Sequence, residues 1–415
     1  MQKLFCILTL AACYLSAGCD PCDSSCDPCD TYDTCCDPCD PCCCEPCDFV
    51  PPCPPDTCGY NAPVMIDVKC SWDVYGSITF LYMQAKEENL DYIGTVASSP
   101  NTVGPTVGSN FVHSAGKLSF DYEPAFRVGL GFNLGCDDWM FNFEYTRYHA
   151  DVASGSFNQS VVNGDSTFNQ SLVNAESTLL EGSLYWFGTD GGKNQIIKIE
   201  RNQDASVSCS AKWRLEMDLI DFNLSRQYYV GHCLTFNTHF GLRAGWIDQT
   251  FTVDYSLLNT TTPANSENGT SKSDTESWAV GLRAGLDTDW RFCGGFYLFG
   301  NGAVSILYTD YDKILTNQTV NDLDAALNLD TQTTYTNTSR ELCFLRPQAN
   351  LGLGLGWSDY FCCNDWFFDF KIGYEMQVFW SQNVLPAVYD LAQDPSRLNG
   401  DLYLHGLTIS ARLDF

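Results

Sequence analysis

Most cysteines between residues 19 and 58 stand in one repeated unit: Cys19-Asp-Pro-Cys22, Cys26-Asp-Pro-Cys29, Cys36-Asp-Pro-Cys39, Cys39-Asp-Pro-Cys42 and Cys44-Glu-Pro-Cys47. Cys53 and Cys58 follow among prolines. Two chemistries use thiols at this spacing. Tetrahedral metal sites take C-x-x-C pairs as thiolates, whereas disulfides take them as oxidised pairs. An acidic side chain beside nearly every cysteine raises the cost of the thiolate, which weighs against a metal cluster. Disulfides persist in an oxidising compartment, so the address of the chain decides between the two.

That address is written at the start. Lys3, the apolar run Leu4–Tyr14 and the small residues Ser16, Ala17 and Gly18 read as an export signal over residues 1–18, cleaved after Gly18. The alternative is a lipobox, Leu10-Ala11-Ala12-Cys13, which would lipidate Cys13. Either way the mature chain leaves the cytoplasm, and disulfides become the expected state of the thiols. Cleavage takes Cys6 and Cys13 from the 23 cysteines and leaves an odd number, which requires a free thiol or a bond to another chain. Vicinal cysteines such as Cys35-Cys36 and Cys42-Cys43-Cys44 are badly placed to bridge their own neighbours. Residues 19–69 are otherwise proline, acid and small polar groups with little to bury, so they read as a disordered, Cys-rich arm.

The second chemistry-bearing set is a series of charged side chains inside otherwise apolar segments. Arg127, Glu144, Arg214, Glu216, Arg243, Arg283, Asp287, Arg346, Asp369, Lys371 and Glu375 each alternate with apolar neighbours. Period-two alternation gives a strand one greasy face and one wet face. Phe126, Val128, Leu130 and Phe132 make one such greasy face; Trp278, Val280, Leu282, Ala284 and Leu286 make another. Trp366, Phe368, Phe370, Ile372 and Tyr374 make a third. A closed sheet with lipid outside and water or paired charges inside accommodates both faces.

The elements that would position these groups are ten alternating segments: Trp72–Tyr82, Phe120–Leu134, Trp139–Tyr148, Lys212–Tyr229, Cys233–Tyr255, Trp278–Trp290, Phe296–Asp310, Cys343–Trp357, Trp366–Trp380 and Leu402–Phe415. A further strand near Leu179–Phe187 would enlarge the set. The last segment places Leu413, Ala411, Ile409 and Leu407 opposite Asp414, Arg412, Ser410 and Thr408, and runs to a terminal Phe415. A strand that persists to its last residue is expected to close against the first. The fold class is therefore all-β, an antiparallel transmembrane β-barrel of about ten strands, range 10–12, over residues 70–415. An even count puts both termini on one side. Short connections fall near residues 136, 232, 293 and 362. Long polar ones cover 86–118, 151–208, 257–276, 312–340 and 382–400. Short turns are expected at the periplasm and long loops outside. Loop 151–208 duplicates itself, Phe157–Ser166 against Phe168–Ser177, which reads as tolerated expansion.

Cys136, Cys233, Cys293, Cys362 and Cys363 all fall at the short turns, on the side where the arm begins. With Cys19, Cys22, Cys26, Cys29, Cys39 and Cys47 they form the disulfide candidates and suggest a cross-linking rim. Cys209 and Cys343 lie toward the other end.

Several function classes are excluded. A formal net charge of −29 opposes nucleic-acid binding. No run of eighteen apolar residues follows the first twenty positions, which excludes a helical membrane protein. The five histidines have no ligand spacing, with His239 and His405 expected to line the lumen. Gly352-Leu-Gly-Leu-Gly356 is a strand face rather than a phosphate loop, and no nucleophile elbow is present, so no enzyme, metal or cofactor is expected.

Trp213-Arg-Leu-Glu-Met-Asp-Leu-Ile-Asp-Phe222, Ser225-Arg-Gln-Tyr-Tyr-Val-Gly231, Leu234-Thr-Phe with Gly241-Leu-Arg-Ala-Gly-Trp-Ile-Asp-Gln249, and Trp278-Ala-Val-Gly-Leu-Arg-Ala-Gly285 carry a resemblance. Over residues 70–415 the chain resembles the major outer-membrane porin-like proteins of chlamydia-related bacteria and Legionella. The resemblance implies a pore-forming outer-membrane barrel and, in the chlamydial members, a disulfide-linked envelope. The Cys-Asp-Pro-Cys arm departs from that pattern. The expectation is a bacterial outer-membrane porin that passes small solutes, touches membrane lipid and is disulfide-linked to itself or to other Cys-rich envelope proteins, with its arm in the periplasm. The alternative is a structural or adhesive barrel with no open channel.

Overall fold

A computed structural model describes residues 66, 68, 74–90, 92–97, 110–114, 118–134, 139–161, 178–182, 186–187, 194–195, 205–231, 233–259, 266–292, 294–324, 329–337, 342–361, 366–385 and 400–415. The signal and the Cys-rich arm over residues 1–65 lie outside this set. Ten long strands form the barrel: β1 (Val74–Glu87), β2 (Tyr122–Leu134), β3 (Trp139–Val161), β4 (Ala205–Tyr229), β5 (Leu234–Asn259), β6 (Ser266–Arg291), β7 (Phe296–Asp324), β8 (Leu342–Phe361), β9 (Trp366–Asn383) and β10 (Gly400–Asp414). Each pairs antiparallel with its sequence neighbour, and β10 pairs with β1 from Asp414 opposite Tyr75 to Leu402 opposite Glu87. The Phe415 amide donates to the Val74 carbonyl at 3.1 Å and ends the seam. The barrel is closed, as the alternating C-terminal segment predicts.

The Leu179–Phe187 region does not add a stave. Thr178–Gly182 pairs with Ile93–Ala97 in a separate three-stranded sheet that also holds Asn110–Ser114.

Four short connections lie at one rim, the turn rim; the other, the loop rim, holds four long ones and the six-residue link between β5 and β6. Between β6 and β7, Gly294 and Gly295 have φ of 72° and 80°, a left-handed pair that suits a tight hairpin and that side-chain-bearing residues resist.

Alternation divides the wall as expected across the membrane-spanning half. Leu282 is 70 % exposed, Ile306 63 % and Leu353 60 %, all on the outer face. On β1 the outward apolar row runs from Val74 to Tyr82 and then gives way to Gln84 and Lys86. That is nine residues, the span a tilted strand needs to cross the hydrocarbon. Aromatic rings mark both edges: Trp366 with Phe415 toward the turn rim, Tyr82 with Tyr122 toward the loop rim. On β8 the leucines of Leu351–Leu355 face out while glycines face in. Gly356 and Gly354 leave room for the Tyr297 and Phe299 rings of β7, which a Cβ would strike.

Beyond this band the strands run far past what a membrane needs: β5 and β6 have 26 residues each and β7 has 29. Much of the sequence expected as loop 151–208, 257–276 and 312–340 is strand. The reason is an inversion of polarity. Above the loop-side aromatic level, many inward positions become apolar and outward positions polar, while β6 keeps Ser271, Ser273, Thr275 and Ser277 inside. Trp213, Leu215, Met217 and Leu219 of β4 point inward, with Arg214, Glu216 and Asp218 pointing out. Leu81 and Met83, Tyr148, Phe251 and Val253, Leu402 and Leu404 join them in one buried cluster drawn from nine of the ten strands. Leu90 and Tyr92, from the connection after β1, and Leu385, after β9, pack into the same cluster. Trp213 is fully buried. This cluster, the loop-end plug, packs together inside the wall. It is a soluble-protein core standing on a membrane barrel, and each large side chain in it contributes about 1.5–3 kcal/mol by burial.

One carboxylate is trapped beside the plug. Glu87, at the loop-side end of β1, accepts a hydrogen bond from Gln249 Nε2 of β5 at 2.9 Å across the bore. Burial pushes its carboxyl up to about 8, against the opposing pull of the Gln249 hydrogen bond and the Arg346 charge. In the unfolded chain the same group ionises near the ordinary carboxylate value. Its protonated form therefore contributes stability that is complete below about pH 4.5 and lost as pH rises through about 8. Thermal unfolding followed by gel mobility should show the unfolding temperature falling across that window, and Glu87→Gln should flatten the fall. Trp213→Ala should lower stability by about 3–5 kcal/mol at every pH.

Candidate functional site

The membrane-spanning half of the bore has a polar inner wall. Arg127 on β2, Glu144 on β3, Arg243 on β5, Arg283 and Asp287 on β6, Arg346 on β8, and Asp369, Lys371 and Glu375 on β9 all sit on inward positions. Each is placed by strand alternation and brought to its neighbours by register.

Most of these charges are paired. Arg243 donates Nε and Nη2 to Asp221 at 2.6 and 2.5 Å, a two-point bond between register partners on β5 and β4. Arg127 reaches past β1 and β10 to the Glu375 carboxylate of β9, with Nη2 at 2.8 Å and Nη1 at 3.2 Å. Near the turn rim Arg412 binds Asp414 through Nε and Nη2, both at 2.7 Å, and its guanidinium lies 3.6 Å from the Tyr75 ring centre. Lys371 Nζ is 3.5 Å from Asp369, which also accepts the Tyr297 hydroxyl. Two-point guanidinium–carboxylate bonds fix geometry as well as charge. Losing one partner of a buried pair of this kind costs about 3–5 kcal/mol.

Three expected lumen residues lie elsewhere. Arg214 and Glu216 are outward on β4, bonded to each other at 2.6 Å above the membrane band. They sit where the polarity of the wall has inverted, so the rule that polar means inward fails for them. His405 is also outward, its Nδ1 2.6 Å from the Tyr374 hydroxyl and its ring against Tyr122 and Tyr374 in the loop-side aromatic level. His239 is inward, with Nδ1 3.5 Å from Asp287.

Sequence reasoning passed over Asp221, the partner of Arg243, and a set of inward asparagines, Asn142, Asn223, Asn237 and Asn301. The signal was available: Asp221, Asn223 and Ser225 hold one parity beneath the apolar Ile220, Phe222 and Leu224 of the other. Arg346 marks the upper limit of the polar zone. It is 3 % exposed, its guanidinium makes no hydrogen bond among the described residues, and it lies over the Tyr311 and Phe344 rings at 4.9 and 5.1 Å.

The polar wall encloses a vestibule of about 230 Å³ toward the turn rim, reached by Ile66 from the segment before β1. A deeper cavity of about 110 Å³ shares Arg127, Glu144 and Asp287 with it. Above both lies the buried apolar cluster of the loop-side half.

Of the disulfide candidates only Cys233 is described, and it is exposed at the turn rim between β4 and β5. Cys19, Cys22, Cys26, Cys29, Cys39, Cys47, Cys136, Cys293, Cys362 and Cys363 lie outside the described residues. Cys209 is buried in the plug, where burial pushes its thiol up to about 12 and disfavours the thiolate. Cys343 is exposed on the loop-side half, its Sγ 3.3 Å from Asp310.

Comparison with solved structures finds a TodX deltaS2S3 mutant monoaromatic hydrocarbon channel at 7 % identity and TM-score 0.19, covering 83 % of this chain and 91 % of that one. A FadL homologue from Pseudomonas aeruginosa follows at 8 % and 0.23, covering 82 % and 89 %. OmpT in trimer form, an outer membrane protein of Vibrio cholerae, follows at 8 % and 0.16, covering 82 % and 98 %. Similarity at these scores carries no argument about function. No curated protein matches the chain. The family described as the Legionella pneumophila major outer membrane protein precursor matches residues 67–415, and the chain belongs to that family of the bacterial outer membrane.

Proposed function

We propose that this protein is an outer-membrane barrel closed at its loop end, acting as a thiol-linked structural element of the envelope. One observation carries the reading: the buried apolar cluster contributed by nine strands, which supports a polar lumen blind on the loop side. The sequence ranks an open pore first and a structural barrel second; the buried cluster supports the second. With short turns toward the periplasm and long loops outside, the lumen is a periplasmic cul-de-sac. Ile66, in the segment before β1, lines its mouth, and exposed Cys233 stands on the same rim. Arm and rim together supply the thiols for cross-links in an oxidising compartment.

The porin reading keeps one observation in its favour, the continuous charged wall of the membrane-spanning half. Passage of solutes through it requires the plug to move aside.

In planar bilayers the folded protein should give no discrete conductance steps, and Trp213→Ala combined with Leu402→Ala should introduce them. Steady conductance from the unmodified protein would establish the porin reading instead. On gels of envelope extracts, reductant should convert high-mass species to monomer, and deletion of residues 19–58 should remove most of those species without removing the heat-dependent mobility shift of a barrel. Oligomers that survive the deletion would move the cross-linking role away from the arm.

A further inference from the structure

The deeper lumen cavity holds an imbalance that the paired charges around it do not resolve. Three guanidinium groups line it, and two are neutralised: Arg127 by Glu375 and Arg243 by Asp221. Arg283 is not. It is 8 % exposed, its Nη1 donates to the neutral Asn350 carboxamide at 3.0 Å, its Nε has no partner, and it forms no ion pair among the described residues.

Two carboxylates on the same cavity are likewise free of guanidinium partners. Among the described residues Glu144 accepts only from Asn142 Nδ2 at 3.3 Å, and Asp287 accepts from Asn237 Nδ2 at 3.4 Å with His239 beside it. Because Asn142 and Asn237 turn their amide nitrogens onto these carboxylates, their carbonyl oxygens are left without donors. The Asn223 oxygen is also unpartnered, on a side chain 7 % exposed. The cavity wall therefore offers one unneutralised cation and a larger field of unneutralised oxygen acceptors.

A simple anion would meet Arg283 but also the repulsion of Glu144 and Asp287. A simple cation would meet the carboxylates but also Arg283. A small molecule with both charges avoids each penalty, since buried charges are favourable when paired and hydrogen-bonded. We propose that this cavity is a binding site for small zwitterions of the α-amino-acid class, with the carboxylate on Arg283 and the ammonium among Glu144, Asp287 and the asparagine oxygens. Entry is through the vestibule from the turn rim. The site does not depend on whether the plug opens: a sealed barrel binds the solute in a cul-de-sac, and a porin would present it as a selectivity point.

The test uses the full-length protein refolded in detergent micelles, titrated with L-alanine, acetate and methylammonium at matched ionic strength, with binding read by saturation-transfer NMR. L-alanine should bind at least about tenfold more tightly than either half-molecule, the gain of one extra charge-assisted contact. Arg283→Gln should weaken L-alanine about tenfold while leaving methylammonium no weaker. Asp287→Asn should weaken L-alanine and methylammonium while leaving acetate no weaker. The heat-dependent mobility shift confirms that each variant is a folded barrel, and the three-probe comparison on the unmodified protein stands without any variant. Equal binding of L-alanine and either half-molecule, or no saturable binding of L-alanine, would overturn the proposal.

Discussion

Closure of the sheet is the constraint on which everything else rests. Inside a bilayer no water is available to satisfy backbone N–H and C=O groups, so an open edge is excluded. The ladder from β1 to β10 and back removes every edge. The last hydrogen bond of that seam, from Phe415 to Val74, lies at the turn rim beside the Trp366 ring. With the edge gone, period-two alternation decides which side chains meet lipid and which meet the bore.

Ten strands make a narrow bore, and a narrow bore must be filled or hydrated. This protein fills it in two ways along one axis. Across the membrane it uses charged side chains tied in two-point pairs, with small cavities between them. Beyond the membrane the same inward positions carry Trp213, Leu215, Leu81 and Leu402, and the outward positions carry the charges. The inversion follows from the change of solvent outside the wall. Next to lipid the outer face must be apolar, so the polar groups collect inside; next to water the outer face is free to be polar, and burial of apolar side chains inside becomes favourable. The two zones meet at Arg346, whose guanidinium lies on aromatic rings at the base of the plug.

Strand number, closure, turn positions and the lipid face were legible in the sequence because their alternation is clean where lipid enforces it. Trp278, Val280, Leu282 and Ala284 could hardly be read otherwise. The upper strands were not legible as strands. Ser271, Ser273, Thr275 and Ser277 of β6 point inward between Lys272, Asp274 and Glu276, so both faces are polar and periodicity carries no signal. Arg214 and Glu216 were misplaced for a related reason. They alternate correctly with Trp213 and Leu215, but alternation says which residues share a face, never which face is inside. His405 shares the parity of Leu407 and Ile409, and parity alone would have set it outside. The pairings Arg127–Glu375 and Glu87–Gln249 join strands far apart in sequence, and only the curvature of the closed barrel brings them together.

On the proposed reading the polar lumen is reached from the turn rim alone. Ser225, on β4, lines both the vestibule and the deeper cavity. A Ser225→Cys variant reconstituted with known orientation in vesicles can be treated with a membrane-impermeant, positively charged thiol reagent on one side at a time, with the modified site identified by mass spectrometry. Modification of position 225 is expected from the turn side and none from the loop side. Equal modification from both sides would contradict it and show that the bore is open from end to end.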